Sequence, residues 1–391
     1  MSSGQRRLIQ LASLLTGVVL CLAALAWLPG PFVWIGLVAA GTMAVLVAAS
    51  QSPRARLTFL VLGSLAAGLG VAELALGALR RSPDWPVYTE PYHARGEFMW
   101  KPVPGAASRS SRLFRGDTLF NVVYTIGADG LRMSPPPSGA GPHRAVLFFG
   151  CSFMYGEGLS DQETLPYQVG LLTGGTWRTL NFAYHGYGPH HMLLLLEQGR
   201  VGQLVNADTV RQVIYGMIPE HVRRVAGRVW WGQHAPRYVL DAQGTPRLHG
   251  RFVDGVRPPG PLMALLGTQL GKSALYRLVS NTIAMFHRAD MRFFTAVVTR
   301  SRDLVRREFP QARFHVLLWP DHGGLAGQVL EYRIEQALAG QGIPVHAVRR
   351  ILPDFEDSIF RYYIPHDGHP SAEAHAQLAR YVVATILQPD E

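Results

Sequence analysis

The sequence predicts an α/β protein, a doubly wound parallel sheet of five strands, preceded by three membrane-spanning helices. Three observations carry this reading. After residue 143 short apolar strands alternate with amphipathic helical patterns, the arrangement of a sheet covered by helices on both faces. The apolar run 145–149 stops abruptly at Gly150-Cys151-Ser152, the form of a buried parallel strand that ends in a loop. Before them lie three apolar stretches of spanning length, residues 8–28, 31–50 and 57–79, with Glu73 as their only acid.

Taken in chain order, residues 1–80 are expected to form the membrane anchor. Arg6 and Arg7 precede the first span, Arg54 and Arg56 separate the second from the third, and the LPGP between the first two carries no charge. Basic flanks stay cytoplasmic, so the amino terminus is expected inside and everything after residue 80 on the extracytoplasmic side of the inner membrane. Glu73 has no second ionisable residue within the spans and reads as a packing or interfacial carboxylate. Residues 81–143 form a lead-in, rich in Pro and Gly, with one strand at 119–126, a turn at 127–130 and the linker SPPPSGAGP. The main domain spans 144–391, with strands at 145–149, 179–182, 212–217, 313–318 and 344–348 and a long helix over 280–308. An insertion at about 226–275 holds a hairpin, YVLDAQGTPRLHG.

Composition narrows the function. The net charge of +10 is carried almost wholly by arginine, with Lys101 and Lys272 the only lysines, which suits an anionic neighbour such as lipid headgroups or an acidic glycan. No dense basic run or nucleic-acid-binding motif occurs, so nucleic acid is not an expected partner. Two cysteines, Cys21 and Cys151, give no disulfide framework, and the fold must hold by its core.

Ser152 follows the first strand, where open α/β sheets bind their ligands. Its hydroxyl needs a general base to become a nucleophile, so a His and a carboxylate are required at a second strand-end loop. The segment YYIPHDGHPSAEAHAQLA supplies His366, Asp367 and His369 in one loop, then a helix capped by Ser371 with Glu373 in its first turn. A His-Asp-Gly-His loop also suits a metal, but no further ligand cluster with recognisable spacing accompanies it, and neither metal nor cofactor is expected. Asn181, at the end of the second strand, reads as a residue that binds backbone groups. Asp321, in WPDHGG after the fourth strand, is a reserve carboxylate or substrate contact.

Gly150-Cys-Ser152-Phe with YGEGLSDQETLP, then NFAYHGYGPHH, then DGHPSAEAH, resembles the SGNH or GDSL-type hydrolase superfamily across residues 144–388. The resemblance implies a three-layer α/β/α sandwich, Ser152 as nucleophile, His369 as general base and Asp367 as its orienting acid. It implies an oxyanion hole from the backbone N–H groups of Ser152 and Gly186. The strand followed by GADGLR is similar to the segment that precedes the hydrolase domain in membrane-tethered members.

The sequence departs from the family in three places. Cys151 stands where the family has Asp and reads as a small strand-end residue. IYGMIPEHVRR lacks the Asn that completes the family's oxyanion hole, leaving two donors or a hole reorganised by Glu220 or His221; losing one donor costs about 10²- to 10³-fold. The acid lies two residues before His369 rather than three, a spacing that resembles alginate O-acetyltransferase-like members. The expected function is a membrane-anchored, extracytoplasmic serine esterase acting through an acyl-enzyme on O-acyl, most simply acetyl, esters of a cell-surface glycan or lipid. An O-acyltransferase decorating a cell-surface polysaccharide and a non-catalytic binding or assembly module are the alternatives.

Overall fold

The structure is a computed structural model that describes residues 31–79, 84–140, 142–205, 208–255, 273, 287–320 and 324–388. The chain falls into two compact units, Met1–Arg81 with Arg257–Ile283, and Ser82–Val256 with Ala284–Glu391.

In the first unit α1 (Pro31–Ala49) and α2 (Pro53–Leu79) are separated by a turn in which Arg56 Nε donates to Ser50 O at 2.8 Å. Small residues let the two backbones touch: a Cβ added at Gly36 would lie 2.6 Å from Ala66 O. Leu57, Leu60, Leu65 and Leu69 on α2 are exposed. Glu73 is buried and accepts from Ser273 Oγ at 2.8 Å. The expected count of three spans is not reproduced. Among the described residues one segment, Pro53–Leu76, is long and apolar enough to cross a membrane, while the second expected span contributes a shorter apolar stretch, Ala39–Ala49. The first expected span, 8–28, lies outside the described residues.

The second unit is built on the predicted five-stranded sheet. Its strands are β3 (Arg144–Gly150), β4 (Trp177–Asn181), β5 (Thr209–Met217), β8 (Arg313–Leu318) and β9 (Val345–Ala347), all parallel, in the order β9-β8-β5-β3-β4. Both faces are apolar because alternate residues of β3 point opposite ways. Leu147 and Phe149 join a core with Phe294, Val297 and Val298 of the helix Arg288–Glu308 and Leu330, Ile334 and Leu338 of Gly324–Ala339. Val146 and Phe148 join a second core with Leu165 and Val169 of Leu165–Leu172 and Leu378 of Ala372–Tyr381. The result is three layers, helix, sheet and helix. The long helix expected over 280–308 is described from Arg288; residues 280–286 lie outside the described residues.

From β3 the chain crosses to β4 on one side and then to β5 on the other, so β3 and β5 flank the point where the winding reverses. Gly150 and Gly216 pair there in register. A Cβ on Gly150 would sit 2.5 Å from Gly216 O, which is why glycine ends this strand. The expected hairpin exists as β6 (Pro236–Leu240) and β7 (Pro246–Arg251), antiparallel.

The lead-in is more ordered than its sequence predicts. Beside the expected strand, observed as β2 (Asp117–Thr125), runs β1 (Ala107–Phe114), antiparallel, with Val87–Tyr88 on its other edge. The sequence of β1, ASRSSRLF, carries Ser108 and Ser110 at its buried positions, so the apolar alternation that marks a half-buried strand is missing.

Candidate active site

Three loops at the carboxyl ends of the strands converge on Ser152. The first begins with Ser152 itself, which opens the four-residue helix Ser152–Tyr155 directly after β3. As the first helical residue it contributes one of the N–H groups that have no partner within the helix. Asn181 Nδ2 donates to Met154 O at 3.4 Å, and its Oδ1 accepts from Ala183 N at 3.1 Å. Asn181 therefore ties the helix that starts at Ser152 to the second loop and makes no bond to Ser152, His369 or Asp367.

That second loop, after β4, carries Tyr184, His185 and Gly186. Tyr184 N donates to Gly150 O at 3.3 Å, which fastens the loop to the end of β3. Gly186 has φ +72°, and a Cβ there would lie 2.6 Å from Met99 Cε.

The third loop runs from Tyr363 to Pro370 before the helix Ala372–Tyr381, whose Ser371 cap accepts from Ala374 N. Asp367 Oδ1 accepts from the backbone N–H of His369 at 3.0 Å and lies 2.5 Å from its Nδ1. Gly368 between them takes φ +85°, so the two-residue spacing closes a tight turn that presents one carboxylate oxygen to both groups. His369 Nε2 is 2.9 Å from Ser152 Oγ. With Nδ1–H donated to Asp367, Nε2 is free to accept the serine proton. His366, at φ +61°, stacks on Phe114 with ring centroids 4.3 Å apart.

The residues that sequence reasoning missed are those that hold these groups. Arg112 of β1 pairs with Asp367 Oδ2 at 2.5 Å and donates through Nε to Asp84 O at 2.8 Å. Asp367 is fully buried; burial works against its charge, but the hydrogen bond to His369 and the Arg112 guanidinium hold it below the usual carboxylate range. Glu157 lies 2.7 Å from His185 Nδ1 and 3.5 Å from His369 Nε2. His185 Nε2 in turn meets Tyr92 OH at 2.7 Å. Arg132, buried between the rings of Tyr124 and Tyr155, donates to the carbonyls of Tyr155, Gly156 and Leu159 and pairs with Asp161. It thereby fixes the loop on which Glu157 rides. Glu157, His185 and Arg132 sit in the YGEG, AYHGYG and GADGLR stretches, where only turn-forming glycines mark them.

Two expected accessory residues are engaged elsewhere. Glu220 Oε2 pairs with Arg224 at 2.6 Å, and His221 Nδ1 meets Tyr215 OH at 2.6 Å in a fully buried position. Neither makes a bond to the triad. Asp321 lies outside the described residues. Cys151 is buried, and burial pushes its thiol pKa up against the pull of Arg224, so it stays protonated and a poor nucleophile. Among the described residues no group of three or more His, Cys, Asp or Glu could hold a metal ion.

No protein-family model matches the chain, and no curated protein matches it in sequence. Solved structures are similar to it at low identity. A member of the lipolytic G-D-S-L family from Veillonella parvula is 11% identical, with a TM-score of 0.36 over 63% of this chain and 100% of that one. An acetyl xylan esterase from Butyrivibrio proteoclasticus is 12% identical, with a TM-score of 0.33 over 63% of this chain and 64% of that one. A family two carbohydrate esterase from Cellvibrio japonicus is 12% identical, with a TM-score of 0.34 over 66% of this chain and 64% of that one.

Proposed function

We propose that this chain is a serine ester hydrolase of the SGNH type that works through an acyl-enzyme on O-acyl, most simply acetyl, esters. The observation that carries the reading is the continuous line from Asp367 through His369, 2.5 Å at Nδ1, to Ser152 Oγ, 2.9 Å from Nε2. In the first half-reaction His369 Nε2 takes the Ser152 proton as Oγ attacks the ester carbonyl. The imidazolium returns that proton to the departing alkoxide, leaving the acyl group on Oγ. Water, deprotonated by the same nitrogen, then frees the acid and restores the serine. The backbone N–H groups of Ser152 and Gly186 are the proposed oxyanion donors. Glu220 and His221 are committed to Arg224 and Tyr215, so a two-donor hole is the simpler arrangement.

A binding module has no need to bury a carboxylate, pair it with an arginine and aim it at an imidazole; that cost favours catalysis over the non-catalytic reading. The arginine pattern and the apolar Pro53–Leu76 segment support a membrane anchor with the hydrolase unit on the extracytoplasmic side, facing an ester on a glycan or lipid. Hydrolysis of a chromogenic acetyl ester by the purified protein tests the reading: Ser152→Ala is expected to abolish turnover. Equal turnover by the alanine variant would refute it.

A further inference from the structure

Glu157 has no place in a Ser-His-Asp triad, yet it lies on the working side of the imidazole. Its Oε2 is 3.5 Å from His369 Nε2, the same nitrogen that Ser152 Oγ approaches to 2.9 Å. The carboxylate is buried and held from behind, with the same oxygen 2.7 Å from His185 Nδ1 and Tyr92 OH 2.7 Å from His185 Nε2. His185 thus bridges Glu157 and Tyr92 through its two ring nitrogens. The loop carrying Glu157 is itself fixed by Arg132, so the side chain has little freedom to leave.

We propose that Glu157, clamped by His185 and Tyr92, is a positioning residue for His369: it competes with Ser152 for the Nε2 proton and sets the pH at which the serine becomes a nucleophile. This rests on the esterase reading of the same site. Counting charge supports it. Around His369 stand two carboxylates, Asp367 from its own loop and Glu157 from the loop after β3, against one cation, Arg112 of β1. Among these four groups an imidazolium gives neutrality, and a neutral imidazole leaves one negative charge. Of the remaining titratable neighbours, His185 shares Glu157 Oε2 with His369, at 2.7 Å. His375, on Ala372–Tyr381, is held neutral by burial and accepts from Leu165 N, and His366 stacks on Phe114. Burial keeps the Tyr92, Tyr124 and Tyr155 phenols protonated. Arg132 is balanced by Asp161. Burial disfavours the charged forms of both partners. In His369 that effect is outweighed first by Glu157 and then by Asp367; in Glu157 it is outweighed by His369 and His185.

The test is the pH dependence of two chemical labels on the full chain. A fluorophosphonate reports Ser152 reactivity, and diethyl pyrocarbonate, which acylates only neutral imidazole, reports His369 by peptide mass spectrometry. In Glu157→Gln, which keeps the shape and still accepts from His185, both midpoints are expected to fall by about one pH unit or more. Midpoints that stay put in a variant with an unchanged circular dichroism spectrum overturn the proposal. A purely structural role would lower label yield without moving the midpoint. If the glutamine variant fails to fold, Glu157→Ala is labelled in the same way: a fall in both midpoints supports the proposal, and unmoved midpoints overturn it. Should Ser152 take no fluorophosphonate at any pH, the esterase reading fails, while the shift of the His369 midpoint on substituting Glu157 still decides whether Glu157 holds its proton.

Discussion

Asp367 shows most clearly how one residue carries the account. It accepts both the backbone N–H and the ring Nδ1–H of His369 and is paired with Arg112. Asp367→Asn would present an amide that favours the wrong imidazole tautomer, and kcat for ester turnover is expected to fall by up to about 10⁴-fold with the fold intact. His366→Ala, one position away, removes only a stack on Phe114 and is expected to cost less than about tenfold in the same assay. A crippling His366 variant beside an active Asp367 variant would require the acid to be reassigned. The pair Ser152 and His369 was legible because nucleophile chemistry demands a base with a carboxylate beside it, and the loop at 366–369 offers both. Arg112 was not legible: it lies 255 residues away from Asp367 in sequence, on a strand whose polar alternation hides it. Nor was Glu157, because a glutamate between two glycines in a turn carries no sign of what the fold will set beside it.

At the scale of the element, the lead-in is part of the site rather than a spacer. The antiparallel pair β1 and β2 delivers Arg112 to Asp367, and the turn after β2 delivers Arg132 to the loop that follows Ser152–Tyr155. Arg132→Met would remove the guanidinium donor from the carbonyls of Tyr155, Gly156 and Leu159 and the ion-pair partner of Asp161, a class of change that costs about 3–5 kcal/mol. A clear fall in thermal midpoint by calorimetry is the expected outcome; an unchanged midpoint would contradict the role given to Arg132. Ser371→Ala removes the one side-chain cap of Ala372–Tyr381 and is expected to cost about 1 kcal/mol, read as a smaller fall in the same experiment. The sheet strands were readable within two or three residues at each end because they are apolar on both faces. The strand β1 was not, since its buried positions are serines.

The whole molecule stores a pH sensitivity in its core. His190 and His375 are buried and held neutral, with pKa values pushed down to about 3, and burial lowers those of His191 and His221 as well. The unfolded chain binds protons on these side chains near pH 6.5 while the native state does not. Stability is therefore full above about 6.5 and is lost progressively as pH falls toward 3, because over that window the unfolded state holds more protons. The thermal midpoint should drop steadily between pH 7 and pH 4, and a flat profile would mean that these histidines are solvated. Activity should fall over the upper part of the same range for a separate reason: the serine needs neutral His369, whose pKa Glu157 and Asp367 raise.

One measurement bears on all of this most directly. The purified full-length protein is treated with a fluorophosphonate at pH 8, digested and mapped by mass spectrometry. The account predicts a single adduct on Ser152, abolished in Ser152→Ala, strongly slowed in His369→Ala and retained in Cys151→Ala. No adduct on Ser152, or one that persists when His369 is removed, would contradict it.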